Sequence, residues 1–433
     1  MKQYCVISCP ILTNSGYGQR TRDLVKAIVE LKKDEWDIKV LPQRWGATTW
    51  LKPEGEYEWI APLLIQQMTR QPDVWMQITV PNEFQPIGKY NIGWTAGIET
   101  TLCDASWIEG VNRMNVTYVS SEHAKRVFQE SSFEQRDNNT GQIIKQIKLE
   151  KPVEVLFEGI DLNKYKYISD EELEGTKLVE TLDEVEEDFC FLVVGHWLQG
   201  EFGEDRKNIG LTIKLFLDAF KGKKGKKPAL VLKTSHGPAS VIDRDEVLKK
   251  ISEITKASGS DLPSVYLLHG EVGDEDMNNL YNHPKVKAMV SLTKGEGYGR
   301  PLAEFTQSKK PIIVSAWSGQ LDFLKPENTT MLPGELKPLH PSSVVPNMLL
   351  AESKWFNVNH KAAIEAMKNV YENYQKHILH GKQLAHHVKT NFSYDKMKEK
   401  LAEYLDLVPK QVPLKLPALS KLELPKLTKV SRV

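Results

Sequence analysis

Residues 294–304 read KGEGYGRPLAE, with three glycines and two glutamates in eleven positions directly after the apolar run VKAMVSLT. An apolar run ending in a glycine loop reads as a strand passing into a turn. Pro301 suits the first turn of a helix, because its missing N–H would be unpaired there anyway. PLAEFTQS is therefore expected to start a helix, with Glu304 in its first turn and Gly297, Tyr298 and Gly299 leading into it. Backbone N–H groups converging at a helix start make an anion site, and glycines let a phosphate approach closely. A carboxylate does not help to bind phosphate, but it accepts hydrogen bonds from sugar hydroxyls. Glu296 and Glu304 around a phosphate cradle thus point to a ligand with sugar hydroxyls on both sides of its phosphates, a nucleotide sugar. The plainer alternative is that Glu304 complements the helix dipole and Glu296 is a solvated loop residue. Spacing alone leaves both open.

Outward from this loop, short β-rich runs alternate with helical patterns, the sign of βαβ units and parallel sheets. YCVIS, DIKVL, DVWMQIT, NIGWTA, VTYVSS and VEVLF suit a first sheet; FCFLVVG, ALVLKT, VYLLHG, KAMVSL and PIIVSA suit a second. After YCVIS, Leu24, Ala27, Ile28 and Leu31 recur at helical spacing. Between the two sets, residues 169–188 carry ten acids against one lysine and read as a linker or solvated helix. A chain of 433 residues is too long for one ordinary core. We therefore expect an α/β protein with domains at 1–187 and 188–391. Residues 134–150 read as an excursion of the first domain, and 408–433 as a Pro/Leu/Lys-rich tail or tether.

Composition excludes several classes. With 40% hydrophobic and 26% charged residues and a net charge of +0, the chain is neither disordered nor charged like a nonspecific nucleic-acid binder. No run approaches a membrane helix in length, and MKQYCVISCP lacks the features of a signal peptide. Cys5, Cys9, Cys103 and Cys190 lack metal-type spacing and read as reduced core thiols, which places the protein in a cytosol. The sequons at Asn115, Asn138 and Asn328 then count as chance.

In open α/β sheets ligands bind outside the carboxyl ends of the strands. The loops there hold NSGYG (14–18), Thr95 to Glu99 and SSEH (120–123) in the first domain. In the second they hold GHWLQGEFGEDRKN, TSHG, the quoted glutamate loop and residues 315–320. Loops this rich in glycine, hydroxyls and charge suggest two domains facing one cleft.

EGYGRPLAE resembles the E-x7-E signature of retaining glycosyltransferases of the GT-B fold, in particular the family-4 group. The segments beginning VVGHWLQG and VYLLHGEVG resemble that family's phosphate-binding and base-binding segments, while VTYVSSEHAKRVF and VEVLFEGIDLNKY resemble the end of its first domain. The likeness covers roughly residues 3–405 and implies two Rossmann-like domains with parallel sheets facing a central cleft. It implies that Glu304 binds the ribose, Glu296 the donor sugar, and the amides of Gly297, Tyr298 and Gly299 the sugar and diphosphate. Lys207 with Arg206 would neutralise the leaving diphosphate. His196 stands where the family often has Arg, so either Arg206 takes that duty or phosphate binding is weaker. Gly16, Tyr17 and Gly18 would form the opposite wall; a dinucleotide G-x-G-x-x-G is a weak rival because its third glycine is Thr21. His236, His269 and Gly270 would lie near diphosphate or base, though satisfied core histidines fit equally. On the acceptor side, Glu99 with Trp94 and Thr95 resembles a tryptophan–glutamate subset of these enzymes, against the alternative of a core tryptophan and a capping glutamate.

Asp243/Asp245 and Asp274/Asp276 match the D-x-D of metal-dependent transferases in letters only, and both stand where helices begin. The expected enzyme uses no metal and no cofactor beyond its nucleotide-sugar co-substrate. Its retention of configuration is implied by the resemblance alone. Helix 392–407 is expected to return to the first domain, and the cleft to close about the linker after Ser169. The sequence also resembles transferases of large tailed phages, which would act in the host cytoplasm, and bacterial polysaccharide enzymes. The acceptor classes are therefore a hydroxymethylated base in phage DNA, which Lys223, Lys224, Lys226, Lys227 or the tail would help to hold, and a glycan or lipid-linked sugar. A non-catalytic nucleotide-binding scaffold is the alternative from another class.

Overall fold

The computed structural model describes residues 2–46, 48–137, 139–173 and 175–410. Asn138 and, from residue 411 onward, the expected tail lie outside the described residues.

The first half supplies β1 (Gln3–Cys9), α1 (Gly16–Lys32), β2 (Trp36–Pro42), β3 (Val74–Ile78), β4 (Tyr90–Thr95), α2 (Ala105–Asn112), β5 (Val116–Val119) and α3 (Glu122–Glu130). An antiparallel hairpin, β6 (Ser132–Arg136) and β7 (Ile143–Lys148), precedes β8 (Val153–Val155). Six parallel strands form one sheet in the order β2-β1-β3-β4-β5-β8. Its central strands are buried on both faces, which is why β1 and β3 read as continuous rather than alternating apolar runs.

After α4 (Lys177–Asp183), the second half runs β9 (Cys190–Val194), α5 (Ile209–Phe220), β10 (Ala229–Lys233), α6 (Val241–Ser258), β11 (Val265–Leu268), α7 (Asp274–Asn282), β12 (Val286–Ser291), α8 (Arg300–Phe305), β13 (Ile312–Ser315) and β14 (Thr330–Leu332). These six strands are also all parallel, in the order β11-β10-β9-β12-β13-β14. The hairpin β15 (Gly334–Pro338) and β16 (Lys354–Val358) and the helices α9 (His360–Glu372), α10 (Tyr374–Asn391) and α11 (Tyr394–Asp406) complete the chain. Strand order reverses between β1 and β3 in one sheet and between β9 and β12 in the other, and crevices for ligands open at such switch points.

The halves meet at these edges. Arg300 at the start of α8 pairs with Asp23 of α1 at 2.7 Å, Thr49 Oγ1 donates to Glu271 at 2.7 Å, and the Glu122 N–H donates to Asp322 at 2.9 Å. The chain crosses between halves twice, at adjacent places. Ile160 N–H donates to Phe392 O at 3.0 Å and Tyr394 N–H to Ile160 O at 2.8 Å. Gly159 permits this approach, because a Cβ there would lie 2.7 Å from Tyr394 Cα. Beyond the second crossing α11 lies on α1, with Lys32 on Asp406 at 2.7 Å and the Tyr404 hydroxyl donating to Val155 O at 2.9 Å.

Three local expectations need correction. The acidic segment 169–188 is not a free linker: Leu178, Val179 and Leu182 of α4 are buried and the helix packs on α7. Just before it, Lys166 N–H and Ile168 N–H donate to Asn278 and Asn282 of α7, so the chain already lies on the second half before Ser169. Second, α8 begins at Arg300 with Gly299 as its left-handed cap (φ 99), which puts Glu304 beyond the first turn and weakens the dipole explanation for that acid. Third, the basic turn 221–228 leads into the amino end of β10, whereas the cleft lies at carboxyl ends. There Lys226 pairs with Asp188, Lys227 with Asp261, and Lys223 sits over the Tyr371 ring.

Candidate functional site

The loop from β12 to α8 is fastened before it can offer anything to a ligand. Lys294 N–H donates to Arg206 O and Lys294 O accepts from Phe356 N–H, while its buried ammonium reaches Asn357 and, at 3.4 Å, Glu204. Its Nζ also lies 5.2 Å from the Trp355 ring centre. This lysine holds the glutamate loop between the β9–α5 loop and β16. Sequence reading missed it because a buried lysine carries no sequence mark.

Glu296 is thereby placed beside the end of the β9–α5 loop. Its Oε1 is 2.6 Å from Lys207 Nζ and its Oε2 3.3 Å from Arg206 Nη1. Burial alone would raise this carboxyl, but Lys207 and Arg206 outweigh it and hold the group below the usual carboxylate range. Arg206 also reaches Glu99 of the other half at 3.8 Å. Four charged groups, two of each sign, therefore converge where the two sheets face each other. His196, an exposed residue, rests its Nδ1 3.2 Å from Ser235 Oγ. Positive charge here comes from Arg206 and Lys207.

Glu304 is the second buried carboxylate. Arg300 Nε donates to its Oε1 at 2.9 Å and the Tyr281 hydroxyl to its Oε2 at 3.2 Å. Despite the ion pair, burial pushes the carboxyl up to about 7. Between the glutamates, the Tyr298 ring packs on Phe323 with centroids 4.9 Å apart and is buried, so its backbone amide is what it can offer. Glycine is required at 297 by contact across the cleft: a Cβ there would lie 2.6 Å from Ala96 O.

On the facing wall Ser15 caps α1 by accepting from Gly18 N–H at 3.0 Å, and Gly18 fits against Thr13 with no room for a side chain. Gly16 has open space where its side chain would be. The Tyr17 hydroxyl is spent on Thr95 Oγ1 at 2.9 Å and the Ala96 N–H at 3.1 Å, which anchors the loop leading to Glu99. Trp94, expected on the acceptor side, is instead core: only 2% exposed, it stacks on Tyr118 with centroids 4.3 Å apart and cannot touch a ligand.

At the β10 and β11 edges, His236 Nδ1 lies 2.6 Å from Trp197 O, so that nitrogen carries the proton. Asp243 accepts from the N–H groups of His236 and Gly237, both at 3.1 Å, and lies 2.6 Å from His269 Nε2. This aspartate, set aside as a chance D-x-D acid, ties the two loops together. Gly270, at φ 116, accepts from Lys233 Nζ at 2.6 Å. Asp274 is bound by Lys164 at 2.6 Å and the Tyr165 hydroxyl at 3.1 Å. Among the described residues no cluster of three or more His, Cys, Asp or Glu is arranged to hold a metal ion.

No family model matches the chain, and no curated protein matches it. Solved structures do. A glycosyltransferase of Rickettsia africae ESF-5 is similar with TM-score 0.61 and 14% identity over 94% of this chain and 98% of that one. Anabaena HepE in complex with UDP-glucose gives 0.58 and 12% over 93% and 99%. An α,α-trehalose-phosphate synthase (UDP-forming) of Burkholderia xenovorans, in complex with glucose-6-phosphate, gives 0.57 and 9% over 93% and 100%. With its two parallel six-stranded sheets facing across a cleft, the chain has the GT-B fold.

Proposed function

We propose that the protein is a retaining, metal-independent glycosyltransferase that moves a sugar from a nucleotide diphosphate sugar to a hydroxyl acceptor. The observation that carries this is Glu296 at 2.6 Å from Lys207 and 3.3 Å from Arg206, on the loop that leads to Glu304 at a switch point of the sheet. A structural neighbour was solved with UDP-glucose, which supports a donor of this class. Glu296 accepts hydroxyls of the donor sugar and Glu304 those of the ribose. Lys207 and Arg206 stabilise charge as it develops on the leaving diphosphate. The bond from the anomeric carbon to the diphosphate breaks, the acceptor oxygen bonds that carbon from the same face, and its proton passes to the departing phosphate oxygen. Gly16, Gly18 and the amides of 297–299 line the diphosphate, and His236 and Gly270 the base side. Glu99, 30% exposed and held by Arg206, faces the acceptor beside Thr95.

The acceptor is a glycan or lipid-linked hydroxyl in preference to a modified base in phage DNA. The lysines that would hold DNA lie at the amino end of β10, and some are already paired with acids. No helix among the described residues is long and apolar enough to cross a membrane. The four cysteines are buried free thiols, which suits action in the cytoplasm.

The test is turnover in chelator. UDP-, GDP- and ADP-sugars are offered with oligosaccharide, lipid-linked and hydroxymethylated-DNA acceptors, and the anomeric configuration of the product is read by NMR. Transfer with retention that vanishes in Glu296→Ala is expected. Donor binding without transfer to any acceptor would favour the non-catalytic scaffold, and transfer that survives the substitution would remove the donor-site assignment.

A further inference from the structure

Each glutamate of the E-x7-E pair has an arginine standing between it and an acid of the opposite half. Arg206 lies between Glu296 at 3.3 Å and Glu99 at 3.8 Å. Arg300 lies between Glu304 at 2.9 Å and Asp23 at 2.7 Å, with Glu158 at 3.8 Å. The second set is the more enclosed: none of its four side chains is more than 15% exposed. One guanidinium thus serves three carboxylates, two from the first half and one from the second. A planar fork of five donors suits this, because it presents its N–H groups to several acids in fixed directions.

We propose that Arg300 is a positioning residue that ties the orientation of Glu304 to closure of the cleft, through its ion pair with Asp23 of α1. The proposal rests on the reading of Glu304 as the ribose partner. Arg300 and Tyr281 take one bond on each oxygen of Glu304, which leaves each oxygen a further lone pair for a ribose hydroxyl. If the halves part, Arg300 loses Asp23 and Glu158 together, and buried charges separated from their partners are costly. The orientation of Glu304 and the closed arrangement therefore stabilise each other, and a ligand that needs one favours the other. Asp23 stands two helical turns beyond Gly16, so the same pair sets where the first turn of α1, on the diphosphate side, lies relative to α8. The closeness of the Glu304 carboxyl to its titration point, about 7, leaves its charge state sensitive to the guanidinium beside it.

The test uses the full chain with Asp23→Asn, Arg300→Leu and Glu304→Gln, and with UDP, GDP and ADP as probes. Binding is read by calorimetry, the radius of gyration by X-ray scattering, and the thermal midpoint alongside. Asp23→Asn is decisive should Arg300→Leu fail to fold. The diphosphate that binds the parent is expected to bind Asp23→Asn about 10-fold more weakly. The radius of gyration of the free variant should rise above the parent's and return on saturation. A merely structural ion pair would lower the thermal midpoint and leave both affinity and radius unchanged, which overturns the coupling. If Glu304→Gln weakens binding but Asp23→Asn does not, the ribose reading stands and the coupling falls. If Glu304→Gln binds like the parent, or the parent binds none of the three, both fall.

Discussion

At Glu304, burial and charge pull in opposite directions. Burial raises the carboxyl to about 7, and Arg300 opposes it without prevailing, while the charge of Asp274 adds to the rise. The folded chain then keeps this proton at a pH where the unfolded chain has lost it. The resulting stabilisation is full below the ordinary carboxylate value of 4.5 and is lost as pH rises to about 7. Glu304→Gln removes that dependence, so the variant should gain on the parent between pH 5 and 8, by on the order of 3 kcal/mol at most. Thermal midpoints across that range check this, and a constant difference would contradict it. Motif spacing singled out Glu296, Lys207 and Arg206, and the structure brings these three side chains together. Trp94 was misread because strand residues just before a cleft loop look alike in sequence, whether they point to the core or to the ligand. Arg300 went unread because its partner Asp23 lies far away along the chain, and Asp243 was placed at a helix start without its tie to His269.

Among elements, glycine backbone lets the loops of the two halves approach closely at the site, alongside the side-chain pairs that join them. Residues 96–99 lie against 295–297, which lie against 319. A Cβ at Gly295 would be 2.0 Å from Glu99 O, and one at Gly319 2.2 Å from Gly297 O. Gly297→Ala is instructive because its severe clash, with Ala96 O at 2.6 Å, is with the opposite half. It should hold residue 297 away from Ala96 and lose about 100-fold in turnover, the scale set by misplacing reacting groups by roughly an ångström. Unchanged turnover would show that this approach is not needed. The glycines themselves were plain in the sequence. Part of their reason was not: Gly297, read as letting a phosphate approach, also makes room for the Ala96 loop of the other half. The acidic segment was misjudged for a related cause: a high charge density hid the Leu178, Val179 and Leu182 stripe that docks α4 on α7.

For the molecule as a whole, alternation of strands and helices was enough to show two parallel sheets, because strands buried on both faces announce themselves as apolar runs. How the sheets meet was not readable, since it depends on pairs such as Arg300–Asp23 and on the adjacent crossings at Ile160 and Phe392–Tyr394. Those crossings lie side by side, while across the cleft the halves also meet through side-chain pairs such as Arg300–Asp23 and Thr49–Glu271. The central claim is that this cleft holds a nucleotide sugar between Glu296 and Glu304. Calorimetric titration of the full chain with UDP-, GDP- and ADP-sugars, in parallel with Glu296→Gln, tests it most directly. One donor should bind saturably, lose at least 10-fold in affinity in the variant, and bind better than its bare nucleoside diphosphate only in the parent. No saturable binding of any donor, or equal affinity in parent and variant, would contradict the claim.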